Sequence, residues 1–287
     1  MFGFLNVYKP KGMTSHDVVA KLRRTTKIKQ IGHTGTLDPF AEGVLPVCIG
    51  KATRLIEYLK DDKAYVASVQ FGKTTDTYDL EGTFLTESDK TVSEAEIIEA
   101  LKIFQGEIEQ VPPIYSALKV NGKKLYEYAR AGQEVEIKPR KVLIEDIKLI
   151  SFNFESQIAE IYIKCSKGTY IRTIGHDLGQ NLGCGAYLTN LKRVQAGDFY
   201  IADSVKLDTL DSLEAVNTNL IYPLKKLPLE QVIINKIEFK RIYNGLPIYS
   251  RNGISGMVSL VYDNKLVGIA EASLENIRVK KVIKDEN

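Results

Sequence analysis

The nine residues Lys63–Phe71 (KAYVASVQF) place Tyr65, Ala67, Val69 and Phe71 on one side of an extended chain. A period of two with one apolar side is the mark of a strand laid on a core. This segment therefore needs a sheet around it. Partners are available along the chain. Residues 2–8 read as a first strand, and Val44–Ile49 as a buried one with Pro46 hinting at an edge or bulge. Val142–Phe154 and Ile158–Ser166 read as a pair, Ala186–Gln195 as a further strand, and Leu80–Thr86 as a possible neighbour of Lys63–Phe71.

Helical signals fall between these strands. Ser15 is placed to cap a helix over 16–27, with Val18, Val19 and Leu22 on its apolar face. Residues 52–59 read as a short helix. Ser93 with Glu96 forms a capping box that opens a helix reaching Phe104. Lys167-Gly168 turns into a helix at 170–182, and 124–131 is a further short helix. Residues 106–123, with Pro112 and Pro113, show no period and read as a loop or insertion extending to about 141. Residues 203–226 read as helical and loop-like. The texture changes at 225–229, and beyond it Met257–Tyr262, Asp263-Asn264 and Leu266–Ala270 read as a hairpin. The expectation is an α+β chain, with a mixed, mostly antiparallel central sheet flanked by helices over 1–225 and a small β-rich module over 229–287.

Composition narrows the function classes. The chain of 287 residues is 44% hydrophobic and 26% charged, ordinary for a globular protein. Three scattered cysteines, Cys48, Cys165 and Cys184, contain no CxxC pair and suit a reducing cytoplasm. No run is apolar and long enough to span a membrane, and the N-terminus lacks the form of a signal peptide. The net charge is only +3, but it is segregated. Residues 1–30 hold seven basic groups against Asp17, residues 117–141 hold seven against three glutamates, and 81–110 hold eight acidic groups against two lysines. Such clusters are either solvated faces or a surface for a polyanion.

Chemistry concentrates in Gly32-His33-Thr34-Gly35-Thr36-Leu37-Asp38-Pro39. The residue before proline is pushed out of the helical region, so Asp38 belongs to a loop, next to a flat imidazole. Asp-Pro is also a common turn dipeptide. Other chemistries lack their patterns. His16-Asp17, His33 with Asp38, and His176-Asp177 supply no zinc-ligand spacing, so no metal is expected. Gly43–Ala52 has glycines too far apart for a phosphate loop, and no G-x-G-x-x-G follows a strand, so no nucleotide cofactor is expected. There is no G-x-S-x-G, and the cysteines sit in apolar strands. What remains is one carboxylate with basic and aromatic company. A carboxylate can attack a glycosidic carbon or an electron-poor ring carbon. Arg172 and Tyr170, in Cys165-Ser-Lys-Gly-Thr-Tyr-Ile-Arg172, and Tyr65 on the best strand are the natural partners.

These segments resemble the bacterial tRNA pseudouridine-55 synthases, the TruB family of pseudouridine synthases. The resemblance is carried by Lys9–Ser15, Gly32–Pro39, Gly50–Arg54, Lys63-Ala-Tyr65, Val111–Lys119 with Gly122–Tyr126, and Cys165–Arg172, in family order over about residues 1–200. Phe239–Gly245 through Gly268–Ala270 is similar, more loosely, to the PUA-type RNA-binding module of such enzymes. Tyr8 and Phe40 depart from the usual family residues without touching the expected chemistry.

The resemblance implies the pseudouridine synthase fold and isomerisation of one uridine in the T loop of tRNA, without cofactor or metal. Asp38 is implied as nucleophile, at either the ribose C1′ or the uracil ring. Tyr65 is implied to stack on the flipped base and accept the C5 proton, and Arg172 to pair with Asp38. Tyr170 and Leu191 are implied to line the pocket, and His33 to contact RNA near the vacated stack. Lys9, Thr36, Arg54, Lys119 and Lys123 are expected to contact RNA. Residues 106–141 are expected to close over it. The competing expectations are a non-catalytic RNA-binding or tRNA-folding protein, and a synthase for another RNA. A monomer is expected, with no protein partner and no membrane.

Overall fold

The computed structural model describes residues 1–250 and 253–283. The last four residues of the expected C-terminal module, 284–287, lie outside that range. The first fourteen strands are β1 (Gly3–Lys9), β2 (Ile31–His33), β3 (Glu42–Ile49), β4 (Lys63–Phe71), β5 (Lys73–Thr75), β6 (Phe84–Glu87), β7 (Gly106–Gln110), β8 (Lys119–Val120), β9 (Lys123–Lys124), β10 (Arg140–Asn153), β11 (Ile158–Cys165), β12 (Ala186–Ala196), β13 (Phe199–Tyr200) and β14 (Val205–Lys206). Among them run α1 (Ser15–Thr26), α2 (Glu94–Leu101), α3 (Leu125–Arg130) and α4 (Ile171–Asn181), with α5 (Leu213–Thr218) after β14. The chain continues through β15 (Glu230–Ile233), α6 (Lys236–Tyr243), β16 (Ile248–Tyr249), β17 (Gly256–Tyr262), β18 (Lys265–Ala272) and β19 (Asn276–Val282).

The expected strand at Lys63–Phe71 lies inside a ten-stranded sheet of order β14-β1-β3-β12-β4-β11-β10-β7, with β13 on β12 and β2 on β3. Only β1–β14 and β3–β12 pair in parallel, so the sheet is mixed and mostly antiparallel. Tyr65, Ala67, Val69 and Phe71 are buried with Ile97, Leu101, Ile171, Ile174 and Leu178, which places α2 and α4 over one face. Val18, Val19 and Leu22 of α1 pack on Leu5, Val7, Leu45 and Val47. A five-stranded sheet, β15-β17-β18-β19-β16, follows. Its Leu266 and Ile269 share a core with Phe4, Val44 and Phe199 of the main sheet and with Ala52 and Leu55 of the short helix after β3.

Several expectations need correction. Leu80–Thr86 does not pair with β4, whose two sides are taken by β11 and β12; β6 pairs with β5 instead. Ser15 does not cap α1. Thr14 does, in a capping box with Asp17. Residues 50–58 wind as a 3-10 helix. The start of the expected loop at 106–123 is an edge strand, β7, paired with β10. The pattern there is obscured because an edge strand with one covered side needs little apolar sequence. Pro46 is in an interior strand, but it falls in the gap where one side of β3 passes from β12 to β2, so its missing N–H costs no ladder bond. The Asp263-Asn264 hairpin forms as expected, both residues at positive φ (50° and 58°).

Candidate active site

Three buried side chains shape the loop between β2 and β3. Ser15 is buried at the start of α1, and its Oγ accepts from Leu37 N (2.9 Å). Lys9, fully buried at the end of β1, donates to the carbonyls of Pro10 (2.8 Å), Met13 (2.6 Å) and Pro39 (3.4 Å). Arg193, fully buried on β12, donates from Nε to Val44 O (2.7 Å), from Nη2 to Gly35 O (3.0 Å) and from Nη1 to Thr36 O (3.4 Å). A planar fork with five donors suits three carbonyls converging from different directions. Gly43 permits the close β3–β12 approach: its φ is +108°, and a Cβ there would lie 2.3 Å from Arg193 O.

Asp38 leaves this loop with 36% of its side chain exposed and accepts from Arg172 Nε at 2.9 Å. Arg172, in the first turn of α4, is almost fully buried. Its Nη1 donates to Thr77 O and its Nη2 to Tyr115 O, both at 2.9 Å. Nη1 also lies 3.4 Å from Oδ2 of buried Asp79, whose acidity burial weakens and whose contacts with Thr77 and Arg172 partly restore it. One guanidinium thus joins the signature loop, the 77–79 loop and the insertion. The helix that carries it has no side-chain cap. Gln110 takes that role from β7: its Oε1 accepts from Tyr170 N (2.7 Å) and its Nε2 donates to Tyr170 O (3.0 Å).

Tyr65 is buried on β4, directly across from Arg193 on β12. Burial pushes its phenol up to about 12, with Arg193 pulling the other way, so it is neutral at physiological pH. A cavity of about 370 Å³ lies over Asp38, lined by Thr36, Leu37, Lys63, Tyr65, Ser116, Leu118, Tyr170, Arg172 and Leu191 among others. Its size and its aromatic and cationic walls suit a flat polar ring.

The structure thus brings together Asp38, Tyr65, Arg172, Thr36, Tyr170 and Leu191 from distant segments. His33 ends β2 and is not in the cavity lining; burial and the nearby Arg193 charge lower its basicity. Lys119 and Lys123 sit on the β8–β9 hairpin, Lys119 exposed and Lys123 over the Tyr128 ring at 4.5 Å. Arg54 is exposed and donates to Val282 O of β19 (2.9 Å). The expectation for Lys9 is corrected: its ammonium is enclosed by carbonyls, burial brings its pKa down to about 8, and no phosphate can reach it. Asp79, Gln110 and Arg193 escaped sequence reading. The only signal for Arg193 is its place at the end of an apolar strand, where most arginines are solvated.

Residues 23–171 match the family model of the TruB family pseudouridylate synthase N-terminal domain. Residues 172–233 match that of the tRNA pseudouridylate synthase B C-terminal domain. A protein of Clostridium kluyveri named tRNA pseudouridine synthase B is 44% identical over 278 residues, covering 94% of this chain and 95% of its own. The chain belongs to the TruB family of pseudouridine synthases. The like-named Clostridium acetobutylicum protein is 42% identical, over 99% of this chain and all of its own. Among solved structures, a chain of a Cbf5–Nop10–Gar1 complex superposes with a TM-score of 0.73 at 27% identity, covering 98% of this chain and 84% of that one. An H/ACA RNP bound to a substrate RNA containing 2′-deoxyuridine gives 0.73 at 24% identity, over 99% and 86%, a likeness of fold. The expected fold class, a mixed sheet with a β-rich C-terminal sheet, is therefore that of the TruB family.

Proposed function

We propose that this TruB-family chain converts the uridine at position 55 in the T loop of tRNA to pseudouridine, with Asp38 as nucleophile. The observation that carries the reading is the Asp38–Arg172 pair in a cavity of nucleobase size, walled by Tyr65 and Leu191. Near-full-length relatives named tRNA pseudouridine synthase B supply the substrate class.

A uridine within a folded loop must leave its stack to reach Asp38, at a cost of roughly a few kcal/mol. Phosphate contacts offset that cost. The uracil stacks on Tyr65, as single-stranded bases do on aromatic rings. Asp38 attacks the ribose C1′ or the uracil ring, and the N1–C1′ bond breaks. The base turns, C5 bonds to C1′, and the Asp38 carboxylate leaves the carbon it had attacked, which regenerates the nucleophile. The proton leaving C5 and the proton gained at N1 balance, so the step is redox-neutral. The C5 proton passes to the Tyr65 oxygen as the phenol gives its own proton to solvent, from which N1 takes one, and Arg193 alongside favours the phenolate character that develops. The segment around α3 closes the cavity, since Ser116, Ala117 and Leu118 already form one wall. The sheet from β15 to β19 serves as a PUA-like RNA-binding module. Three buried free cysteines suit work in a reducing cytoplasm, and among the described residues no helix is long and apolar enough to cross a membrane.

Mapping pseudouridine in a tRNA transcript tests the reading. Asp38→Asn should lower turnover by about a thousandfold or more and leave tRNA affinity within about threefold, since phosphate contacts carry most of it. Turnover near the wild-type rate would overturn it. A non-catalytic RNA-binding protein would form no product with the unaltered chain.

A further inference from the structure

The loop that supplies Thr77 O and Asp79 to Arg172 contains one residue in an unfavourable conformation. Tyr78, between those two acceptors, has φ of +64°, a region that bulky side chains avoid. Its backbone is tied at both ends: Tyr78 N donates to Thr75 O (3.3 Å), and Leu188 N on β12 donates to Tyr78 O (3.0 Å). Its ring lies flat on His176, centroids 3.9 Å apart and planes at 16°. His176 is on α4, four residues after Arg172, so both project from one face of that helix. Arg172 grips the backbone before Tyr78 and the carboxylate after it. His176 grips the ring in between.

We propose that Tyr78 and His176 are positioning residues: their stack holds the 77–79 loop against α4, and so aims Arg172 at Asp38. The inference rests on the reading of Asp38 as nucleophile. The stack works through ring faces. The Nδ1 of His176 is buried without a hydrogen-bond partner, and burial keeps the imidazole in its neutral form. A neutral flat ring of similar size should therefore replace it. Both rings are only partly buried, so the pair adds little to global stability. Its effect falls on the geometry of Arg172, where misplacement of about 1 Å is costly to the reaction.

Single-turnover pseudouridine formation on a tRNA transcript, tRNA affinity and the thermal midpoint are measured for wild type, His176→Ala, His176→Phe and Tyr78→Gly. Glycine accepts positive φ without strain, so Tyr78→Gly removes the ring while easing the backbone. His176→Ala and Tyr78→Gly should slow the single-turnover rate about tenfold or more, with affinity within about twofold. His176→Phe should return the rate to within about threefold of wild type, because the ring face is restored. Wild-type rates in the first two variants, or a His176→Phe no faster than His176→Ala, would overturn the proposal. Exchange of the Arg172 Nε–H with solvent, followed by NMR, reads the same device without substrate. It should quicken in His176→Ala and Tyr78→Gly but not in His176→Phe, and unchanged exchange in all three would overturn the proposal. If the wild type itself forms no pseudouridine, the functional reading fails, and the exchange measurement still decides the positioning claim.

Discussion

Arg193 has no carboxylate partner within salt-bridge distance among the described residues; its guanidinium donates to the Val44, Gly35 and Thr36 carbonyls and lies beside the Tyr65 phenol. It is a cation used as a backbone brace, and the brace ends two and three residues before Asp38. Lysine keeps the charge but places one ammonium where a planar fork spans three acceptors. Each buried carbonyl left without a donor costs about 1–3 kcal/mol. Arg193→Lys should therefore lower stability by about 2 kcal/mol in a urea melt and slow single-turnover pseudouridine formation by about tenfold. A variant with wild-type rate and midpoint would show that the loop holds its shape without the fork. Asp38, Tyr65 and Arg172 were legible because each sits in an unusual local string: a carboxylate before proline, an aromatic on a clean strand, a cation just past a glycine turn. Arg193 was not, because its role exists only through the register that sets it opposite Tyr65 on β4 and Gly43 on β3. Lys9 misled for the opposite reason. A lysine beside Pro-Lys-Gly reads as a surface charge, and only the fold encloses it.

At the scale of elements, the site depends on where α4 begins. The helix starts at Ile171 and puts Arg172 in its first turn, where backbone N–H groups lack helical partners. Neither Tyr170 nor Thr169 caps it. Gln110, buried at the end of β7, bonds both backbone groups of Tyr170. The main chain just beyond it, at Val111, accepts from Thr173 Oγ1 (3.4 Å). The edge strand therefore fixes the entry angle of α4. Gln110→Ala should destabilise by about 1–3 kcal/mol and reduce the rate more than the affinity, because Arg172 shifts while the phosphate-binding surface does not. A Kd change larger than the rate change would count against this role. The capping box at Ser93 and the hairpin at Asp263-Asn264 could be read in advance because each is a local hydrogen-bond pattern with its own residues. The link from β7 to α4 joins residues 60 apart in sequence, and no local pattern announces it.

At the scale of the molecule, two sheets share one core through Phe4, Leu227, Leu266 and Ile269. Arg54 and Lys281 tie them at the surface: Arg54 donates to Val282 O and Lys281 to Arg54 O (2.9 Å each). Beside that tie a second cavity of about 300 Å³ is lined by Arg54, Lys60, Lys63, Lys167 and Lys281 together with Glu57, Asp61 and Asp62, and it shares Thr34, Lys63 and Lys167 with the cavity over Asp38. A net charge of +3 is too small to make the whole surface a polyanion trap. Binding must rest on cations that are both exposed and near the cavity. Of the lysines expected to touch RNA, Lys119 is exposed on the β8–β9 hairpin and Lys9 is sealed inside. They should separate in the salt dependence of tRNA binding. Each phosphate contact adds roughly 0.7–0.9 to the slope of log K against log salt. Lys119→Gln should lower that slope by about this amount with little change in the rate of bound complex. Lys9→Met should leave the slope unaltered and instead lower the thermal midpoint and slow the reaction, because the Pro10, Met13 and Pro39 carbonyls lose their donor. A slope that falls with Lys9→Met and not with Lys119→Gln would mean that the turn after β1, rather than the hairpin, faces the RNA.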